Sequence, residues 1–255
     1  MKKAVIAAGV ASMLSAGVQA DVLGVYVGGQ YWDVEAEGNF GENPNNLVDF
    51  NLEDEKQGSY FIAFEHPVPF IPNVKVASTT LDTIGATQLT QSFDFGGQNF
   101  TTNLNADAVF DLSYIDYTFY YELFDNDVLS VDFGLTGRDV DGDVSVTATT
   151  TATPPVTLTG REELSQIIPM LYLATNVGIP GTDWNVFAEG NFLSFDDHTL
   201  YDYQAGISYE LVDNLAVDVN LTLGYRAVKL ELDDLDDLYS NIDFKGVFAG
   251  FVMHF

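Results

Sequence analysis

Lys245-Gly246-Val247-Phe248-Ala249-Gly250-Phe251-Val252-Met253-His254-Phe255 alternates strictly. Val247, Ala249, Phe251, Met253 and Phe255 share one face with Lys245, while Gly246, Phe248, Gly250, Val252 and His254 share the other. A period of two is the signature of a β-strand. Both faces are apolar or small, and one runs from Val247 onward without a polar interruption. Left at the edge of a soluble sheet, such a strand would pair with other chains; closing the sheet into a barrel removes the edge.

The same alternation recurs upstream. Leu215, Val217, Val219, Leu221, Leu223, Tyr225 and Ala227 oppose Ala216, Asp218, Asn220, Thr222, Gly224 and Arg226. Tyr201, Tyr203, Ala205, Ile207, Tyr209 and Leu211 oppose Asp202, Gln204, Gly206, Ser208 and Glu210, with a tight turn at Val212-Asp213-Asn214 between the two segments. One face suits hydrocarbon and the other a polar lumen. Applied throughout, this template predicts ten strands near 22–36, 57–66, 73–82, 108–124, 127–146, 161–179, 184–196, 199–211, 215–232 and 242–255; merging strands across the short link 196–199 gives eight. The expected fold is an all-β, transmembrane, antiparallel up-and-down barrel. Short connections (67–72, 125–127, 179–183 and 212–214) alternate with longer polar ones (38–56, 83–107, 147–160 and 233–241), as a barrel with one short-turn rim requires.

The first twenty residues read as a secretory signal: Lys2 and Lys3, an apolar run from Ala4 to Val18, then Val18-Gln19-Ala20 before Asp21. This assigns 1–20 to a cleaved signal peptide and 21–255 to the barrel domain. The chain has 9 basic and 38 acidic residues and a formal charge of -29, which becomes -31 once Lys2 and Lys3 are removed. Nucleic acid is therefore not an expected partner. There is no cysteine, so disulfides contribute nothing. After Ala20 no run approaches the roughly 20 apolar residues of a spanning helix. The 19 Phe, 13 Tyr and 2 Trp must therefore sit on strands.

The signal peptide and the terminal face Val247, Ala249, Phe251, Met253 and Phe255 resemble those of Gram-negative outer-membrane β-barrel proteins, more loosely the small outer-membrane proteins of marine-type proteobacteria. The resemblance implies Sec export, residence in the cell outer membrane among lipid and lipopolysaccharide, and recognition of the terminal strand by the barrel assembly machinery. A monomer is expected, with no cofactor beyond loosely bound Ca²⁺ or Mg²⁺.

If the lipid face is as assigned, Asp116, Thr118, Glu122, Ser130, Asp132, Arg138, Glu189, Glu210, Asp218 and Arg226 point inward, with Lys75 and Glu65 as further candidates. Charges in a narrow barrel must be paired or hydrated. They form either a hydrogen-bonded plug or a cation-preferring aqueous path. The corresponding functions are a structural or surface-interaction barrel with acidic loops, or a small cation-preferring pore or solute channel. No enzyme is expected: His198 adjoins Asp196 and Asp197 on one turn, which does not reproduce carboxylate and histidine groups spread over several strands. Asp139, Asp141 and Asp143, with Gly142, are a weak candidate for a loosely held Ca²⁺ or Mg²⁺, lacking the spacing of an EF-hand loop. The run Glu231 to Asp237 adds acid near the last loop, suited to diffuse cation binding. Val144 to Thr159, rich in threonine with Pro154-Pro155, suits an extended arm. Phe93, Phe95 and Phe100 beside Gly96-Gly97 could fold inward or over the mouth. A bulge at Asp141-Gly142 would slip every face assignment beyond it.

Overall fold

Along the strand that holds Leu221, Leu223 and Tyr225, these three side chains face outward, and Asn220, Thr222 and Arg226 face inward. Four residues further on the polarity inverts: Lys229 and Glu231 face outward, whereas Val228, Leu230 and Leu232 are buried inside. This inversion within single strands organises the molecule. A computed structural model describes residues 23–126, 128–195, 198–214, 216–235 and 238–255. The expected signal peptide lies outside these residues.

The barrel strands are β1 (Gly24–Gly41), β2 (Glu55–Glu65), β3 (Asn73–Thr79), β8 (Tyr114–Asp125), β9 (Leu129–Thr149), β10 (Thr157–Gly178), β11 (Trp184–Phe195), β12 (His198–Val212), β13 (Asp218–Leu235) and β14 (Leu238–His254). Each pairs antiparallel with its neighbour in this order, and β14 closes on β1. The closed ring therefore has ten strands. At the seam Tyr26 lies opposite His254 and Tyr31 opposite Ala249. Phe255 exchanges backbone hydrogen bonds with Val25 at 3.0 and 3.3 Å.

Outside, Tyr60, Ile62, Phe64, Tyr117, Phe119, Tyr121, Phe133, Leu135, Leu171, Leu173, Leu223 and Phe251 form an exposed apolar belt. A solvated surface would not carry such a continuous band, whereas lipid requires it. A strand of ~9 to 11 residues crosses a membrane, but β9 and β10 have 21 and 22 residues. At ~3.3 Å per residue they extend far beyond the belt. That extension is the part where polarity inverts. In it β1 turns Asp33, Glu35 and Glu37 outward and Trp32, Val34 and Ala36 inward.

Four further strands lie where 83–107 was expected to be a loop: β4 (Asp82–Gln88), β5 (Phe93–Phe95), β6 (Gln98–Phe100) and β7 (Asn105–Asp111). β4 continues β3 and β7 precedes β8, so that β7 keeps the register of β8 along β9. The expected single strand 108–124 is thus two strands broken at Leu112-Ser113. Both breaks are stitched together: Leu81 N donates to Ser113 Oγ at 3.1 Å, and Leu112 N donates to the Leu81 carbonyl at 2.9 Å. Leu81 and Leu112 turn into the core. Opposite this break, a Cβ on Gly142 would lie 2.2 Å from the Asp111 carbonyl oxygen, so β9 can pass only as glycine. The register is continuous there, which corrects the bulge expected at Asp141-Gly142; register shifts fall instead within Glu122/Phe124, Glu210/Val212 and Leu232/Leu235.

Residues 42–54 complete the wall beside β4. Glu53 N donates to the Ile84 carbonyl at 2.8 Å, and Asn51 Nδ2 donates to the Ala86 carbonyl at 3.0 Å. The threonine-rich segment is not a free arm. β9 and β10 pair to Thr149 and Thr157, and the hydroxyls of Thr147 and Thr159 lie 3.2 Å apart.

Candidate functional site

Three levels divide the lumen, each set by which side chains face inward. Under the long-connection rim lies an aromatic core. Phe40 stacks on Phe50 with ring centres 4.8 Å apart, Phe95 meets Phe40 edge-on at 5.6 Å, and Phe110 lies 5.7 Å from Phe40. Leu81, Val144, Val146, Leu164, Leu238, Ile242 and Phe244 fill the remaining section. The β5–β6 hairpin supplies Phe93, Phe95 and Phe100, answering whether those rings fold inward. Its two-residue turn, Gly96-Gly97, has φ of 56° and 66°, the left-handed backbone that such a turn needs. The turn rests on β10: a Cβ on Gly160 would lie 2.0 Å from the Phe95 carbonyl oxygen, and Gly96 N donates to the Glu42 carboxylate.

At the waist, where the polarity inverts, two arginines and two aspartates alternate. Arg138 grips Asp116 with two bonds of 2.8 Å and reaches Asp202 at 2.7 Å. Arg226 grips Asp202 at 2.9 and 2.8 Å. Tyr114 donates its hydroxyl to Asp202 at 2.6 Å, and its ring lies 3.6 Å beneath the Arg138 guanidinium. The Arg226 guanidinium lies 5.1 Å from the Trp32 ring. Arg138 is 1% exposed, and Asp116 and Asp202 are 5% exposed. The cluster is neutral and bidentate, the geometry that lets buried charges persist. Thr118, Thr136 and Asn191 extend it, with Thr136 donating to Asn191 Oδ1 at 2.6 Å and Asn191 Nδ2 reaching Asp116 at 3.5 Å.

Below the waist the lumen is hollow. A cavity of about 410 Å³ is roofed by Asp116, Asp202 and Arg226 and walled by Phe61, Phe187 and Phe248. It shares Tyr26, Asn176 and Asn185 with a second cavity of about 460 Å³, which reaches the short-turn rim at Leu23, Pro67, Val128 and Gly178. Lys75 is bound to Glu189 at 2.5 Å, with its ammonium 4.5 Å from the centre of the Phe61 ring. Glu210 lines the upper cavity, and Glu122 and Asp132 line the mouth. Asp218 meets His254 at 3.3 Å, and that imidazole stacks on Tyr26 at 4.2 Å.

The inward residues therefore separate into groups rather than one network. Asp116 and Arg226 seal the waist; Glu189 and Glu210 line the pocket; Glu122 and Asp132 line its mouth, and Asp218 stands behind His254 there. Sequence reasoning left Asp202 out of its site set, although it occupies the inward face with Gln204 and Glu210. Asp139, Asp141 and Asp143 alternate on the outer face of β9, and Asp143 meets Arg161 at 3.0 Å. Among the described residues no three acidic or histidine side chains converge on a metal-sized point. Val247, Ala249, Phe251 and Phe255 face outward from the seam strand, with Met253 on the same face. The His198 side chain lies outside the described residues.

A scan of protein-family models finds no match, and neither does a search of curated proteins. Among solved structures, the chain is similar to Ail, the attachment invasion locus protein of Yersinia pestis, at 12% identity, with 91% of this chain and 99% of that one covered and a TM-score of 0.33. It is similar to the transport unit of the autotransporter AIDA-I from Escherichia coli at 9% identity, covering 94% and 91%, with a TM-score of 0.41. It is also similar to the P. putida toluene transporter TodX at 9% identity, covering 92% and 90%, with a TM-score of 0.31. Likeness at this level assigns no function; the functional reading rests on the lumen.

Proposed function

We propose that this protein is an integral outer-membrane barrel with a sealed lumen, acting at the cell surface rather than conducting solutes. The observation that carries this reading is the double closure. The aromatic core and the arginine–aspartate waist each span the lumen, and their side chains are almost wholly excluded from solvent. A solute path would have to cross both. On this reading the short-turn rim, with both ends of the barrel, faces the periplasm, and the inverted extension stands outside the cell.

The apolar belt and the outward face ending at Phe255 support the membrane setting and a part for the barrel assembly machinery. Above the belt, Asp33, Glu35, Glu37, Asp139, Asp141 and Asp143 turn outward, where lipopolysaccharide phosphates would meet them. Ca²⁺ or Mg²⁺ held loosely between the two sets of anions would relieve the repulsion. The acidity also suits salty surroundings, as the marine-type resemblance implies. The barrel acts as a monomer.

Planar-bilayer recording of the refolded protein tests the closure. We expect silence from a preparation whose gel migration is heat-modifiable. Discrete, reproducible openings with cation preference would establish the pore instead.

A further inference from the structure

The hollow below the waist has one open end and a surplus of acceptors. Glu65, Glu122, Asp125 and Asp132 line the mouth, and no lysine or arginine lies within ion-pair distance of them among the described residues. The lysine facing this space, Lys75, is engaged by Glu189, and Arg226 at the roof is engaged by Asp202. Walls of low dielectric constant focus the resulting negative potential into the cavity. A separate observation points the same way. Asp132 Oδ1 at the mouth and Gln204 Oε1 in the upper cavity are buried oxygens with no hydrogen-bond partner. Both are acceptors, so what satisfies them must donate.

The lumen also shows how it treats an ammonium group. Lys75 Nζ is held by the Glu189 carboxylate, 4.5 Å from the centre of the Phe61 ring and 5.8 Å from that of Tyr172. A carboxylate with aromatic faces is the arrangement that recognises alkylammonium groups. Beside it, Phe187 and Phe248 leave an apolar wall for a short methylene chain. A volume of about 410 Å³ falls within the usual range of small-molecule sites.

We propose that this cavity is a binding site for a small organic cation of the diamine class, entering from the short-turn rim. One ammonium donates to Asp132 and Glu122 at the mouth. The methylene chain lies along Phe187 and Phe248, and the second ammonium reaches Gln204. A bare divalent ion fits less well, because no three ligands converge among the described residues. With the waist sealed as proposed above, the site is blind and captures rather than conducts; the binding itself does not require the seal. It goes beyond the sealed-barrel reading without depending on it: openings in the bilayer would overturn the seal and leave this site standing.

Calorimetric titration of the full chain, refolded in zwitterionic micelles, tests the proposal, with putrescine as the probe. We expect one saturable site, with 1,4-butanediol, the uncharged isostere, binding at least tenfold more weakly. Asp132→Asn should weaken putrescine at least tenfold, and so should Gln204→Met, which serves if the first variant does not fold. Asp94→Asn, on the exposed hairpin, should change nothing. Absence of saturable binding, equal binding of the diol, or equal loss from Asp94→Asn and Asp132→Asn would each overturn the proposal, the last by showing diffuse attraction to an acidic surface.

Discussion

Asp202→Asn tests the waist most directly. The Asp202 carboxylate accepts from Arg138 at 2.7 Å, from Arg226 at 2.9 and 2.8 Å and from Tyr114 at 2.6 Å. The amide keeps one acceptor but turns an NH₂ toward two guanidinium groups, leaving them a single buried carboxylate, Asp116. One uncompensated charge remains in a site where its neighbours are 1 to 6% exposed. Removing one partner of a buried ion pair costs about 3 to 5 kcal/mol, and we expect a loss in that range. Asp202→Asn combined with Arg226→Gln restores neutrality while sparing the two-bond Arg138–Asp116 pair. The double variant should recover about 1 to 3 kcal/mol relative to the sum of the two single losses, the size of coupling expected within one network. Urea titration in lipid vesicles measures both, followed by fluorescence of Trp32 in a Trp184→Phe background; Trp32 lies 5.1 Å from the Arg226 guanidinium and reports on the cluster itself. A single-variant loss below about 1 kcal/mol, or strict additivity in the double, would refute the account of the waist as a mutually dependent charge cluster.

Two further outcomes follow from the same structure. Leu223 is 56% exposed on the belt, so Leu223→Arg should cost about 2 to 4 kcal/mol in vesicles, whereas Glu231→Arg, four turns of alternation higher on the same face of β13, should stay within about 0.5 kcal/mol; equal costs would remove the boundary between the two zones. Gly160→Val places a side chain where a Cβ alone would lie 2.0 Å from the Phe95 carbonyl oxygen. It should lift the β5–β6 hairpin and raise chymotryptic cleavage at Phe93, Phe95 and Phe100 by about tenfold, as local opening becomes about 1.4 kcal/mol easier; unchanged cleavage would show that the hairpin is not held there.

The ring of ten strands was legible because lipid imposes period two on every strand that crosses it. The extension was less so. Val228, Leu230 and Leu232 occupy the face that Arg226 occupies lower on β13, and Lys229 and Glu231 continue the face of Leu223 and Tyr225. Parity is conserved while polarity changes, and a reading that takes one apolar face per strand passes over the change. The signal was present in Val228 to Leu232 as an apolar face opposite charge, but it belongs to a water-facing barrel filled with side chains. The 83–107 segment was hidden for another reason. Its turn residues, Gly96-Gly97 among them, look like loop, and pairing of β7 with the upper part of β9 is a contact across more than thirty residues of chain. Asp116, Arg138 and Arg226 were legible as inward charges. Their selection of one another, and of Asp202, depends on barrel stagger, which alternation does not encode.

The position of the waist follows from the two environments it joins. Below it, a lipid-facing wall makes the outward residues apolar, and polar inward residues such as Asn220, Thr222, Gln204 and Glu189 keep strands such as β11, β12 and β13 from being apolar on both faces, a property that would favour aggregation before insertion. Above it, water outside makes the outward residues polar, and only an apolar interior can then hold the wall together. Between these zones the lumen must pass from a wet pocket to a dry core within a few residues. Arg138, Asp116, Asp202 and Arg226 stand at that passage. Their carboxylates each accept from a guanidinium group while Arg138 Nη1 stays buried without a hydrogen-bond partner, their Tyr114 and Trp32 contacts present ring faces toward the apolar side, and the carboxylates and Arg226 also roof the pocket. An apolar substitute would match the core above but leave the polar pocket without a polar roof. The neutral cluster matches both, and for that reason the closure of the lumen and the chemistry of its open end depend on the same four side chains.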